Sequence, residues 1–370
     1  MLAPVIPIVA DPVQSAKIAG LHYALDGGPG YRRLRRGDTF VYVDERGRHL
    51  KNPDELRRIR SLVLPPAWTD VWISADPDSH LQAVGRDARG RKQYRYHPEY
   101  RRVRDQSKFG RMLAFGAALP DIRRTVDRHL ALPTMSKHKV LATVVRLLET
   151  TCIRVGNEEY ARENDSYGLT TLKDKHVQIN GATVKFKFRG KSGRMHEVEL
   201  TDRRLARIVK NCRDIPGYEL FQYLDEQGNH CRISSTDVNE YLREISGQDF
   251  TAKDFRTWGG TGQAALALEE IGPASSENEA KKNIVAAIKR VAERLGNRPA
   301  TCRKYYVHPA VLQAYQDGSL MAALAAAKGD RREEACVMQL VEKYVADLST
   351  NKKKTKSLSQ QLRESVKKLS

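Results

Sequence analysis

Between residues 20 and 105, short apolar segments such as Thr39-Phe40-Val41-Tyr42-Val43 and Asp70-Val71-Trp72-Ile73 are cut by Gly, Pro and Asp, a pattern that predicts a small strand-rich domain. From Lys108 the period changes to helical. Val140, Val144, Leu147 and Leu148 form an i, i+4, i+7, i+8 stripe behind Ser136, the signature of a capped helix buried on one face. One β interruption follows: His176 to Asn180, a turn at Asn180-Gly181, Thr183 to Phe188, a turn over Arg189-Gly190-Lys191-Ser192-Gly193, then His196 to Leu200. It reads as a three-stranded meander with Lys191 at a tip. Helices return at about Asp237 to Ile245 after the Ser234-Ser235-Thr236 capping cluster, and through Ile284, Val285, Ile288, Val291 and Leu295 up to Gly296. After about residue 329 the chain is charged and runs to Lys352-Lys353-Lys354-Thr355-Lys356, a helix with a basic end. The expected fold class is α+β. A β-rich N-terminal domain covers 1–105, a larger and mainly α-helical domain with the meander covers 106–328, and a charged, lysine-rich tail covers 329–370.

Charge narrows the partner. Among 370 residues, 64 Lys+Arg against 45 Asp+Glu leave a net charge of +19, which calls for a polyanion. Basic runs are spread along the whole chain, with no apolar span of 18 residues and no lipidation signal, so nucleic acid is expected and a membrane is not. The apolar start, Met1 to Val13, is broken by Pro4, Pro7 and Pro12 and lacks a basic leader region, so a soluble, cytoplasmic protein is expected. Five cysteines at wide spacings, with no CxxC pair, indicate neither a disulfide framework nor a zinc ribbon, and core filling is their expected role.

The chemistry concentrates in Asn297-Arg298-Pro299-Ala300-Thr301-Cys302-Arg303-Lys304-Tyr305-Tyr306, where two tyrosines follow two bases. A phenol, with a pKa of about 10, becomes a nucleophile only where cations stabilise the charge that develops in attack. Other familiar sites are excluded. Gly190-Lys191-Ser192 resembles the end of a phosphate-binding loop, but Lys185 stands where that loop needs glycine. Gly260, Gly262 and Ala265 match a dinucleotide spacing inside a helical region, not at the end of a strand. There is no HExxH and no carboxylate pair, and no metal or other cofactor is expected. What remains is Arg154 in Cys152-Ile153-Arg154-Val155-Gly156-Asn157, Lys191 on its hairpin tip, and Arg256 in Lys253-Asp254-Phe255-Arg256-Thr257-Trp258. In so basic a chain each of these, taken singly, reads as a surface charge or phosphate contact, and most of the 15 tyrosines read as packing.

Taken jointly, these segments resemble the type IB DNA topoisomerases of the bacterial, poxvirus-like branch. The resemblance rests on Ile153 to Asn157, Ser166-Tyr167-Gly168-Leu169-Thr170-Thr171-Leu172, Lys191 after Phe188-Arg189-Gly190, Lys253-x-x-Arg256, and Asn297 nine residues before Tyr306. It extends to the first domain through Pro65-Pro66-Ala67-Trp68 and Gly90-Arg91-Lys92-Gln93-Tyr94-Arg95-Tyr96-His97, spans roughly residues 20 to 315, and leaves the chain beyond about 325 uncovered.

The resemblance implies that Tyr306 attacks a DNA phosphodiester to give a 3′-phosphotyrosyl link and a free 5′-hydroxyl, without ATP or an obligatory metal. Arg154 and Arg256 would brace the nonbridging oxygens through forked hydrogen bonds, and Lys191 would protonate the departing oxygen. Asn297 stands where the family has His or Asn, so it can only donate a hydrogen bond. Tyr305 is the rival nucleophile, set aside for the spacing of Tyr306 to Asn297 and its place before Val307-His308-Pro309. DNA contacts are implied for Arg91, Lys92, Gln93, Tyr94, Tyr96, Tyr160, Lys253, Arg303 and Lys304. On a strand, Gln93, Tyr94 and Tyr96 are expected to face away from Lys92, Arg95 and His97. The expected partner is supercoiled duplex DNA, clamped by a monomer at the nucleoid. A tyrosine recombinase shares this order of residues but places His three positions before the second arginine, where this chain has Lys253. A non-enzymatic DNA-binding protein would not need the complete set.

Overall fold

The computed structural model describes residues 12–37, 39–88, 90 and 92–347, with backbone alone for 102 and 105–110. The chain divides into two compact units, Met1–Arg111 and Met112–Ser370.

The first unit carries α1 (Pro12–Ile18), β1 (Gly30–Arg36), β2 (Thr39–Val43), α2 (Pro53–Ser61), β3 (Thr69–Ser74), β4 (Leu81–Arg86) and β5 (Lys92–Tyr96). Its five strands form an antiparallel sheet in the order β2-β1-β3-β4-β5. The helix α2 starts where Asn52 Oδ1 accepts from the amides of Asp54 and Glu55 and Pro53 presets the first turn. Its Ile59 joins Val71, Ile73 and Ala83 in the core. Arg33 ties down the Pro65 to Trp68 segment, donating to Pro65 O at 2.9 Å and Trp68 O at 2.7 Å.

On β5 the expected separation of aromatic from basic side chains does not hold. Alternation puts Lys92, Tyr94 and Tyr96 on one face and Gln93 with Arg95 on the other. Lys92 Nζ accordingly lies 5.9 Å from the Tyr94 ring centre, and Tyr94 stacks on Tyr96 with centroids 6.0 Å apart.

The helix α3 (Pro98–Leu130) begins ten residues before the expected change of period at Lys108. Among the described side chains of its first turns, Tyr100 and Val103 are the buried apolar ones, and arginines separate them from any readable stripe. The second unit continues with α4 (Lys137–Thr151), α5 (Glu158–Asn164), β6 (Val177–Asn180), β7 (Thr183–Arg189), β8 (Met195–Thr201), α6 (Arg203–Arg213), β9 (Gln222–Leu224), β10 (His230–Arg232), α7 (Ser235–Ser246), α8 (Ala252–Ile271), α9 (Glu277–Arg294), α10 (Pro299–Tyr305), α11 (Pro309–Gln316) and α12 (Ser319–Ala326), followed by α13 over 332–347. Ser136 caps α4, and the stripe Val140, Val144, Leu147 and Leu148 is wholly buried. That burial makes α4 the axis against which α6, α7 and α8 pack. The meander β6-β7-β8 buries Val184, Phe186 and Phe188 beneath it. Gly260, Gly262 and Ala265 lie inside α8, with no strand before them. All five cysteines are free, and only Cys231 is not buried.

The tail expected from residue 329 starts later. Cys336, Val337, Leu340 and Val341 give α13 a buried apolar face under its charged surface. Arg332 holds Glu269 of α8 through two contacts of 2.8 and 2.9 Å, and Glu334 grips Arg123 of α3 at 2.6 and 2.9 Å. The Lys352 to Lys356 run lies outside the described residues.

Candidate active site

Three chain segments that follow or begin helices bring side chains together in the second unit. The first is the 152–157 connection after α4. Cys152 ends that helix in the left-handed region, φ 55°, and turns the chain so that Arg154 points back inward. Arg154 is pinned by its own backbone: Leu169 N donates to Arg154 O at 2.9 Å, and Thr170 N to Val155 O at 2.7 Å. The segment from Ser166 to Leu172 is therefore the clamp on Arg154.

The second segment is the start of α8. Thr251 and Asp254 form a reciprocal cap, the Thr251 amide donating to Asp254 Oδ2 at 2.8 Å. One turn on, Arg256 is 4% exposed. Its Nη2 donates to Leu295 O at 2.9 Å and its Nη1 to Cys152 O. Cys152 and Leu295 are the terminal residues of α4 and α9, so the guanidinium takes carbonyls that those helices leave without an internal partner. Both helix dipoles point their negative ends at it.

The third segment runs from α9 into α10. Gly296 takes the left-handed φ of 57°, and Asn297 follows, its amide donating to Ala292 O at 2.8 Å. Asn297 Oδ1 accepts from Arg154 Nη2 at 2.6 Å, and Gly296 O lies 3.5 Å from both terminal nitrogens of that guanidinium. Pro299 opens α10, and Tyr306 ends it, donating its amide to Cys302 O at 2.9 Å. The Tyr306 ring lies with its centre 5.1 Å from Arg256 Cζ. Tyr305 points elsewhere: it is 43% exposed, with Lys304 Nζ 5.1 Å from its ring centre.

Arg154, Arg256, Asn297 and Tyr306 are thus gathered at one place. Lys191 is not held in that cluster. It sits exposed on the 190–194 connection between β7 and β8, with its ammonium 5.6 Å from the ring of Tyr160 on α5. Lys253, Arg303 and Lys304 are exposed nearby in sequence, on α8 and α10. In the first unit Gln93 donates to Asp87 at 3.0 Å, Lys92 pairs with Asp26, and Tyr94 is exposed while Tyr96 is half-buried. Arg91 lies outside the described residues.

Two residues that the sequence reading did not single out as site candidates join the cluster. Arg194 Nη1 donates to Asn297 O at 2.5 Å, and His196 is buried at the start of β8. No local pattern marks either one. Burial, the neighbouring Arg256 and Arg194 pull Arg154 down to about 10, still a cation at neutral pH, while Tyr306 works in the other direction. Burial and the same three arginines hold His196 at about 4, so it is neutral at pH 7. Arg256 Nε and Asn297 Nδ2 are buried donors with no acceptor. Unpaired donors and crowded cations beside a phenol describe a receptor for an oxyanion, since an anion would satisfy the donors and relieve the repulsion together. Among the described residues, no three of His, Cys, Asp or Glu gather as a metal-binding group, and no helix is long and apolar enough to cross a membrane.

The family described as "Eukaryotic DNA topoisomerase I, catalytic core" matches residues 97–334, and "Bacterial DNA topoisomerase IB, N-terminal domain" matches residues 39–87. The core match runs past residue 325, where the resemblance was expected to stop, and reaches the start of α13. The DNA topoisomerase 1B of Acanthamoeba polyphaga mimivirus is 35% identical over 295 residues, 78% of this chain and 88% of the relative. That of Vaccinia virus (strain Copenhagen) is 27% identical over 282 residues, 74% of this chain and 82% of the relative.

Proposed function

The chain belongs to the type IB DNA topoisomerases, and from that premise we propose that it relaxes supercoiled duplex DNA through a transient 3′-phosphotyrosyl link to Tyr306, without ATP or a metal ion. The Tyr306 oxygen forms a bond to phosphorus as the bond to the 5′-oxygen breaks. The phenolic proton passes to water, and the 5′-oxygen takes one from the Lys191 ammonium. A guanidinium is too weak an acid for that transfer. One phosphodiester replaces another, so resealing needs no outside energy and torsion alone drives strand rotation.

The observation that carries this reading is the Tyr306 ring against Arg256, beside an Arg154–Asn297 pair with spare donors. Charge on the nonbridging oxygens grows in the transition state, where these donors would be satisfied. Lys92, Gln93, Tyr94 and Tyr96 are proposed to grip the duplex, with Arg91, Tyr160, Lys253, Arg303 and Lys304 on phosphates. The acting species is read as a monomer at the nucleoid. Binding by so many cations gives a steep fall in affinity with salt.

The test is relaxation of positively and negatively supercoiled plasmid in EDTA without ATP, beside Tyr306→Phe. Wild type relaxes both signs. The variant binds DNA yet yields no protein-linked 3′-end after a denaturant quench. An adduct trapped on Tyr306→Phe would move the nucleophile to Tyr305, and a requirement for ATP or a metal would overturn the reading.

A further inference from the structure

One buried ring lies between the loop of Lys191 and the turn of Asn297. His196 is 8% exposed and stacks on its cross-strand partner Phe188, with centroids 5.1 Å apart and planes at 5°. A methyl group at Gly190, the residue before Lys191, would stand 2.5 Å from His196 Cδ2 and 2.7 Å from Nε2. One at Gly296, the residue before Asn297, would overlap Cε1 and Nε2. The two edges of the imidazole that meet at Nε2 therefore press on the two backbones, Cδ2–Nε2 on Gly190 and Cε1–Nε2 on Gly296.

The two segments are held unequally. The Asn297 turn is anchored from several elements: its amide to Ala292 O, its Oδ1 by Arg154, its carbonyl by Arg194, and the adjacent Leu295 O by Arg256. The Lys191 connection mostly closes on itself, Gly190 N donating to Arg194 O at 2.7 Å and Gly193 N to Gly190 O at 3.1 Å. It is tied outward by Ser166 Oγ donating to Gly190 O at 3.2 Å and by Arg194 Nη1 donating to Asn297 O at 2.5 Å, the latter drawing the connection towards the turn. Arg194 pulls the loop towards the turn, and the ring wedged against both backbones sets how closely the two approach. Neutral at pH 7, the ring brings no charge of its own to the cluster.

We propose that His196 is a positioning residue: its ring spaces the Lys191 loop from the Gly296-Asn297 turn and so delivers the lysine to the leaving oxygen. This rests on the reading of Lys191 as the general acid. The Lys191 ammonium lies 5.6 Å from the Tyr160 ring centre and outside the Arg154–Tyr306 cluster, so it has to be brought to the scissile bond, and a loop with a defined backbone position shortens that search.

A duplex with sulfur in place of the bridging 5′-oxygen at a mapped cleavage position tests it, because a thiolate departs without a proton. His196→Ala is expected to slow single-turnover cleavage of the ordinary duplex by about tenfold to a hundredfold, and to run within about threefold of wild type on the sulfur duplex. His196→Phe, which keeps a flat ring on Phe188, recovers most of the rate. Should the alanine variant unfold, Gly190→Ala pushes the loop off the ring and gives the same pair of rates. An equal loss on both duplexes, or no loss on the ordinary one, overturns the proposal. Lys191→Ala is run beside them. If its loss persists on the sulfur duplex, the general-acid reading itself falls and the role of His196 with it. If Lys191→Ala is rescued by sulfur and His196→Ala is not, only the positioning role is lost.

Discussion

Gly260 sits in the middle of α8, where alanine should stabilise the helix by about 1 kcal/mol on propensity alone. Packing reverses that sign. A methyl group at residue 260 would lie 2.7 Å from the carbonyl oxygen of Tyr306, 3.2 Å from Leu295 Cδ1 and 3.4 Å from Tyr306 Cβ. The contact at issue is backbone, and it cannot rotate aside. Thr261 Oγ1, 3.3 Å from the same carbonyl, also accepts from His308 N at 3.1 Å, so the chain is tied to α8 at Tyr306 and again two residues after it.

To restore an ordinary carbon–oxygen separation, α8 and Tyr306 must part by roughly 0.7 Å. Overpacking of this kind costs about 1–3 kcal/mol, enough to cancel the helical gain. The effect on rate should be larger, since a displacement of about 1 Å at a reacting group can cost about a hundredfold. Gly260→Ala is therefore expected to bind duplex normally, melt at or below the wild-type temperature, and form the covalent adduct tenfold to a hundredfold more slowly, on the order set by that displacement. Gly262→Ala, two residues along the same helix, is the control. Its added methyl meets nothing nearer than Glu333 Cγ at 3.8 Å, so it should raise the melting temperature and leave the rate alone. Calorimetry with single-turnover cleavage, resolved by denaturing gel, measures both quantities. A Gly260→Ala enzyme with wild-type cleavage and a higher melting temperature would refute the claim that α8 positions Tyr306.

Arg256→Ala should lower cleavage by about a hundredfold or more, as for other lost transition-state donors, and NMR titration should find His196 moved up from about 4 once that neighbouring cation is gone. An unmoved His196 would separate it from the cluster. Arg123, partly buried between Glu149 and Glu334, is the tie between α3, α4 and α13; Arg331 still reaches both carboxylates at 3.0 and 3.3 Å, so Arg123→Ala should cost about 2 kcal/mol, the scale of lost charged hydrogen bonds, and no change in a denaturant melt would contradict this. Because burial depresses His196 from 6.5 to about 4, the unfolded chain binds its proton first. Stability is complete above pH 6.5 and falls as pH drops towards 4, by roughly 3 kcal/mol over that window. The wild-type protein should therefore lose stability relative to His196→Phe across this range, and a difference independent of pH would be inconsistent with a buried neutral imidazole.

Where local pattern decides structure, the sequence was legible. The apolar stripe of α4 with its Ser136 cap, the meander marked by Asn180-Gly181, and the end of α9 at Gly296 each follow from residues within one turn of each other. The β9-β10 hairpin, three residues a side, is too short to alternate visibly. The arginine-rich opening of α3 hid its start, and the helix expected after residue 329 was read without its buried face, Cys336, Val337, Leu340 and Val341, because charges surround it. On β5 the error was one of parity, since Lys92 is an even step from Tyr94 and Tyr96. For the site, Arg154, Arg256, Asn297 and Tyr306 were singled out only through the resemblance taken jointly, since each cation by itself reads as a surface charge. The contact of Arg256 with two helix ends was not legible, nor was the ring of His196 between two glycines, since these partners lie far apart in sequence and meet only through packing.

The way the arginines are buried bears on what the site can do. A carboxylate beside Arg154 or Arg256 would lower the cost of burial, but it would also occupy the guanidinium and repel an incoming phosphate. Instead every acceptor found for the two guanidiniums is an uncharged carbonyl: Cys152 O, Leu295 O, Gly296 O and the side-chain amide of Asn297. Three of these lie at or just past helix C-termini, where the aligned dipoles supply roughly half a negative charge per helix. Partial charges of that size hold a cation in place without cancelling it. The excess positive charge remains directed at the Tyr306 ring, and it is this uncancelled field that a phosphate at the reacting centre would meet.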